Sequence, residues 1–143
     1  MQRSRGLTLV EIMIVTAILL LLTGLAVPNL VRMRILANDG LAQVTLRNIS
    51  NSLESYLATH EGYPDSTDEL VYNTPPYINK DYFKGTSFGF VFEDKIDARN
   101  YIVLAKPAVV GRTGSKSYSI RTGGVLAEGS ESPALPFMAE RVE

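Results

Sequence analysis

Cysteine is absent from this 143-residue chain. Its absence excludes structural disulfides, thiolate metal sites and cysteine nucleophiles. Histidine is almost absent too, with His60 standing alone. A histidine-based hydrolase would need partners that have no recognisable place here, and the Gly-x-Ser-x-Gly turn that raises a serine nucleophile does not occur. A glycine-rich loop of the kind that cradles phosphate is missing as well. So is an excess of one charge. Fourteen basic and fifteen acidic residues leave a formal net charge of −1, which gives no electrostatic footprint for nucleic acid. Aromatic side chains are missing from the first part of the chain: all seven tyrosines and five phenylalanines lie at or after Tyr56. They belong to the core and surface of a C-terminal globular part. That part, about 80 residues long, is marginal as an independent domain and needs a helix to pack against.

In place of these features, the N-terminal part has a long apolar run. Twenty consecutive residues, Ile12 to Val31, carry no charge. As a helix rising about 1.5 Å per residue they span roughly 30 Å, the hydrocarbon thickness of a bilayer. Glu11 stands at the start of this run. A carboxylate there costs about 2.5–3.5 kcal/mol at a membrane centre and less near the interface. Two simple readings leave it unexplained. A secretory signal peptide accommodates Arg3, Arg5 and the small-x-small triplet Gly24-Leu25-Ala26, but the run exceeds the usual length of about 7–15 residues and should be free of charge at Glu11. A plain anchor fits the length and the basic N-terminal flank, with Arg32 and Arg34 weakening the charge asymmetry. It makes Glu11 no more than a carboxylate snorkelling toward the surface.

The stretch "RGLTLVE" supports a third reading. A short basic leader ends in Gly6, the apolar Leu7 follows, then Thr8, then Glu11 five residues beyond the glycine, and the uncharged run is broken at Pro28. Held together in one register, these features resemble the class III leader of type IV pilins and type II secretion pseudopilins, most specifically over residues 1–35. The resemblance implies that a prepilin peptidase cuts between Gly6 and Leu7 on the cytoplasmic face and methylates the new amine on Leu7. It further implies an assembly role for Leu7, Thr8 and Glu11, with Glu11 facing the positive N-terminus of a neighbouring subunit. Opposite charges attract strongly in a low-dielectric core, and a misdocked subunit would leave the carboxylate buried and unpaired. Two positions depart from the family pattern: Leu7 stands where Phe is commonest, and Leu20 where Gly is common. Gly24 and Pro28 remain to loosen the helix, because proline lacks a backbone donor and crowds the preceding turn.

Beyond Arg32 the helical period persists. Ala42, Leu46, Ile49, Leu53 and Tyr56 fall on one face, and Asp39, Gln43, Arg47, Asn51, Glu54 and Ser55 on the other. This predicts one continuous helix of about 50 residues, apolar all round and then amphipathic. Gly62 and Pro64 end it, and Gly40 is a blemish costing about 1 kcal/mol. A two-stranded coiled coil is the alternative use of the stripe, but it lacks enough heptads. "DSTDEL" starts a short helix capped by Asp65 or Ser66, and "TPPYI" is extended. Strands follow: one in which Phe88, Phe90 and Phe92 alternate, one at 101–105 ended by Lys106-Pro107, one at 117–122, and a short one at Val125-Leu126 after a Gly123-Gly124 turn. "EDKIDARN" reads as a charged turn. The ending "YSIRTGGVL" is similar to the terminal hairpin of many pilin-like proteins.

The fold class is therefore α+β: a long N-terminal helix packed on a small antiparallel sheet of three to four strands. The implied organisation is a cleaved leader (1–6), a transmembrane and filament-core half-helix (7–31), an amphipathic half-helix (32–61), and a globular head (62–143) with a variable loop (64–87) and a loose tail (129–143). His60 reads as a favourable contact with the helix C-terminus. No cofactor is indicated. The weak calcium candidates are Glu93, Asp94 and Asp97, oxygen ligands in a loop without a convincing spacing. No enzymatic role is expected. The resemblance implies a structural subunit that polymerises through its N-terminal helix into a type IV pilus-like filament. Its partners would be copies of itself or related pilin subunits, the prepilin peptidase and N-methyltransferase, an inner-membrane assembly platform and the lipid bilayer. It would cross the inner membrane once, leader cytoplasmic and head periplasmic, before entering the filament. The alternatives are a type II secretion pseudopilin, favoured slightly by "VPNL" and the lack of a cysteine-bridged loop, and a membrane-anchored periplasmic binding module that never polymerises.

Overall fold

The structure, a computed structural model, describes residues 7–129. It divides into two compact units that part between Arg34 and Ile35. A single helix, α1 (Leu9–Thr59), of 51 residues, contributes to both. In the first unit every residue from Leu7 to Arg34 is exposed. In the second, α1 presents the predicted stripe to a sheet: Ala42, Leu46, Ile49 and Leu53 are fully buried, and Tyr56 nearly so.

Five strands form that sheet: β1 (Thr86–Ser87), β2 (Phe90–Ile96), β3 (Tyr101–Pro107), β4 (Tyr118–Arg121) and β5 (Val125–Glu128). Their spatial order is their chain order, and every pairing is antiparallel. Alternation sends Phe90, Phe92, Tyr101, Val103, Ala105, Tyr118 and Ile120 into the core with the helix stripe. On the opposite face of β3, Ile102 and Leu104 are buried as well. Ile102 lies between Lys95 and Arg121 in the register, whose aliphatic stems share its face. A short helix, α2 (Asp68–Tyr72), sends Leu70 into the same core.

Several expectations need correction. The sheet has five strands rather than three to four. Phe88 is not a strand residue: it and Gly89 are the two central residues of the β1–β2 hairpin, with φ of 54° and 77°, the doubly positive pattern of a tight hairpin turn. The alternating aromatics hid a turn because Phe is a poor occupant of that conformation. "EDKIDARN" is half strand, since pairing continues to Ile96↔Tyr101 and only 97–100 turn. Strand β3 runs on through Lys106 to Pro107; proline is tolerated there because it stands at the strand's end. Short helix α2 is capped by Thr67 without a side-chain bond, although the Ser66 hydroxyl accepts from the Asp68 amide at 3.2 Å. The tail from residue 130 onward lies outside the described residues, as does the leader.

Asp39 also departs from its expected solvent face. It is buried, and its carboxylate accepts from the backbone amide of Ser115 at 2.9 Å and from the Ser115 hydroxyl. Beside it, the Asn38 amide donates to the Thr113 carbonyl at 2.8 Å. Gly114 fits between because it has no side chain; a Cβ there would run into the Phe90 ring. The loop between β3 and β4 is thus fastened to the helix. Near the other end of α1, Glu54 Oε1 accepts from the Tyr63 hydroxyl (3.1 Å), the Tyr101 hydroxyl (3.2 Å) and the Gly123 amide (3.2 Å). Ser50 and Tyr101 share a 2.6 Å bond, and the Tyr56 hydroxyl donates to Glu69 at 2.6 Å. His60 stacks on Tyr56 at 4.0 Å, and its Nδ1 lies 3.2 Å from the Tyr56 carbonyl in the last helical turn, the helix-end contact expected of it.

Two predictions follow from this packing. Leu46→Ala should destabilise the head by about 2–5 kcal/mol, because the fully buried site leaves a cavity; urea unfolding of the full chain in micelles measures it. The second concerns alkaline pH. The bond to Glu69, with burial, pushes the Tyr56 phenol up to about 12, and burial, with the bond to Glu54, does the same for Tyr63. A phenol raised in the folded state stabilises fully below its unfolded pKa of about 10 and loses that contribution as pH rises toward 12. The melting temperature should therefore fall between pH 10 and about 12, and Tyr56→Phe with Tyr63→Phe should flatten that fall.

Candidate functional site

The first unit holds the residues singled out by the leader pattern. Thr8 immediately precedes α1 as its N-cap, and Glu11 is the third helical residue. The two bond reciprocally. The Glu11 amide donates to Thr8 Oγ1 at 3.2 Å, while Glu11 Oε2 accepts the Thr8 amide at 2.8 Å and the Thr8 hydroxyl at 3.0 Å. This is a capping box. It satisfies backbone donors that a helix start leaves over and sets a negative charge at the positive end of the helix. The sequence reading gives Glu11 a partner in another chain; the structure gives it one in its own. The signal is Thr-x-x-Glu ahead of an apolar run, a pattern whose meaning is separate from the leader.

The two threonines of the run turn inward on the backbone. Thr16 Oγ1 donates to the Ile12 carbonyl at 2.9 Å, and Thr23 Oγ1 to the Leu19 carbonyl at 2.8 Å. Both hydroxyls are satisfied without water, as a lipid environment requires. Gly24 and Pro28 do not interrupt the helix in the isolated chain, which stays helical through both. Pro28 has no amide to give the carbonyl four residues back, which is that of Gly24. Open space surrounds Gly24, where a Cβ would meet nothing within 4 Å. Leu7 is 76% exposed, and Gly6 lies outside the described residues.

The calcium candidates do not converge. Glu93 and Asp94 are successive residues of β2 and point to opposite faces. Glu93 pairs with Lys106 at 2.7 Å, and Asp97 accepts from the Ala98 amide at 2.8 Å. Burial pushes the Asp94 carboxyl above its ordinary range. Among the described residues no group of three or more His, Asp or Glu side chains could hold a metal ion.

The decisive region is therefore the helix start and the uncovered apolar run behind it. The helix is long and apolar enough to cross a membrane, and its most apolar window has no residue buried. A family model described as the prokaryotic N-terminal methylation motif matches residues 1–27. The chain carries this methylation motif. It is also 31% identical, over 68 residues, to the type IV major pilin protein PilA of Myxococcus xanthus (strain DK1622). The match covers 48% of this chain and 31% of that pilin, so the chain spans about a third of its relative's length. No solved structure matches it. The fold is a long helix on an antiparallel sheet.

The capping box generates a prediction of its own. Thr8→Val removes the hydroxyl from both of its bonds and should loosen the first turn by about 1 kcal/mol. Amide exchange at Glu11 and Ile12 in micelles should quicken, while the head stays unchanged. Equal exchange rates in parent and variant would show that the cap contributes nothing.

Proposed function

We propose that this chain is a structural subunit stored in the inner membrane and polymerised into a type IV pilus-like filament. In this reading residues 7–31 cross the membrane once, with the leader cytoplasmic and the head periplasmic. A prepilin peptidase removes residues 1–6 and methylates the Leu7 amine, and an assembly platform draws the subunit into the filament. There the N-terminal helices of copies or related subunits replace lipid around the apolar run. One observation carries the reading: a fully exposed apolar helix that begins, in the methylation-motif register, with a single carboxylate. Exposed apolar surface on that scale needs lipid or protein to cover it, and a plain anchor has no use for Glu11 or Gly6. The similarity to a major pilin favours the pilus. The lack of any cysteine keeps a secretion pseudopilus as the second reading.

Within the filament Glu11 would trade its neutral donors on Thr8 for the charged amine of a neighbour, or add that amine to them. Charge-assisted hydrogen bonds are about twice as strong as neutral ones, so the exchange favours docking in register. Glutamine at the third helical position still serves a capping box. Glu11→Gln therefore preserves the helix start and removes the charge, separating the two roles of the side chain.

The expected outcomes are specific. Intact mass spectrometry of membrane-extracted protein should show a chain starting at methylated Leu7, with Arg3 and Arg5 lost and the formal side-chain charge moved from −1 to −3. Glu11→Gln subunits should insert and be cleaved as the parent is, yet their filament yield should drop by about tenfold or more, for a loss of roughly 1.4 kcal/mol or more per docking event. Wild-type filament yield from cleaved Glu11→Gln subunits would remove charge from the docking step. A chain beginning at Val27 would make the segment a signal peptide instead.

A further inference from the structure

A groove of about 320 Å³ opens on the head between α1 and the segment that follows α2, lined by Asn48, Asn51 and Ser52 of the helix and by Tyr77, Asn79 and Tyr82. Ile78 also lines it and is buried. Asn48, Asn51 and Ser52 share one helix face because they stand three and four residues apart. They are the polar flank of the stripe that packs on the sheet. The opposite wall is held in place by backbone and hydroxyl bonds. The Tyr77 and Ile78 amides donate to the Leu70 carbonyl at 2.9 and 3.0 Å. The Ser52 hydroxyl reaches the Tyr77 carbonyl at 2.9 Å, and the Tyr77 hydroxyl bonds Thr59 Oγ1 at 2.8 Å. The Tyr82 ring is braced by Phe92 at 6.1 Å.

The chemistry of the lining is unusual for a surface of this chain. No charged side chain lines the groove itself, and the neighbouring Lys80 ammonium sits 5.4 Å from the Tyr82 ring centre. The carboxamides of Asn48, Asn51 and Asn79 and the hydroxyl of Tyr82 have no protein partner among the described residues. Each carboxamide offers two donors and one acceptor. The Ser52 hydroxyl spends its proton on carbonyls and keeps acceptor capacity. Donors and acceptors are thus interleaved along one wall, with tyrosine rings along the other.

We infer that this groove binds a neutral saccharide chain. A hydroxyl both donates and accepts, as do the carboxamides, and adjacent sugar hydroxyls can engage them in pairs without any charge to neutralise. The C–H faces of a sugar ring suit the tyrosine walls, which combine an apolar face with a polar edge. Cationic ligands find no opposite charge in the lining, and the neighbouring cation, Lys80, is set over the Tyr82 and Phe88 rings. A peptide is the poorer occupant. Strand addition needs a free sheet edge, and an amphipathic helix needs an apolar groove; this groove has neither. The inference is independent of the filament reading, because every residue in it belongs to the second unit and none to the apolar run.

The test uses the full chain in phosphocholine micelles, since a detergent with a sugar headgroup would compete. Cellohexaose, maltohexaose and chitohexaose are the neutral probes, and polygalacturonate is the anionic comparator. Binding is read from the side-chain amide shifts of Asn48, Asn51 and Asn79. At least one neutral oligosaccharide should move those amides saturably at millimolar concentration. Asn51→Ala with Asn79→Ala should weaken it about tenfold or more, while Asn100→Ala, on the β2–β3 turn, should leave it unchanged; an unchanged melting temperature confirms that the double variant is folded. The inference is overturned if none of the three neutral probes binds, if the polyanion binds more tightly, or if the double variant binds as the parent does. Shifts of the same amides with protein concentration and no sugar would also overturn it, by assigning the groove to a second copy of the chain.

Discussion

Burial of a single helix stripe by the sheet is the interaction on which the head depends. Ala42, Leu46, Ile49 and Leu53 are fully buried, in one cluster with aromatic and β-branched residues of the strands. A five-stranded sheet this small, with one strand of two residues, would expose most of its inner face if left alone. Three or more strands become stable when they have such a face to cover. Polar fastenings at Asp39 and Glu54 sit at the two ends of the stripe. They add little apolar area, but they fix which loop and which turn lie at each end of the helix.

The same helix has no such cover in its first unit. Its hydroxyls and its carboxylate are nonetheless settled: Thr8 and Glu11 serve each other, and Thr16 and Thr23 serve the backbone. A segment with no unsatisfied hydroxyl and a capped carboxylate suits a medium without water. The uncovered apolar surface and the internally settled polar groups are two sides of one requirement. They let the helix tolerate an apolar medium and still keep a charge at its start.

Most of this was legible in the sequence because it rests on period. The stripe from Ala42 to Tyr56 repeats at three and four residues, and the uncharged run is unmistakable in length. The misreadings occur where a local preference was overridden. Phe88 occupies a turn conformation that its side chain disfavours, so the aromatic alternation pointed to a strand. Asp39 reads as a solvent residue until a loop more than seventy positions away supplies its donors, and no local pattern announces a partner at that distance. The charged residues 93–95 look like a turn because their polarity was weighed above the pairing that β3 imposes on them. The Thr8–Glu11 box was legible in principle and was overshadowed by the leader motif that contains it.

The order of the strands carries a consequence for how the head forms. Each strand pairs with its immediate chain neighbour, so the sheet closes by a succession of short hairpins and needs no long loop to be brought together first. Contacts of small sequence separation form fast, because little chain entropy is lost in making them. The distant contacts are those that set the helix against this meander, such as Asn38 to Thr113 across 75 positions. The strands are thus arranged to pair locally, while the helix contacts that cover the sheet close the widest separations. With that arrangement a chain whose N-terminal half is still seated in a membrane could complete its sheet without threading any segment through another.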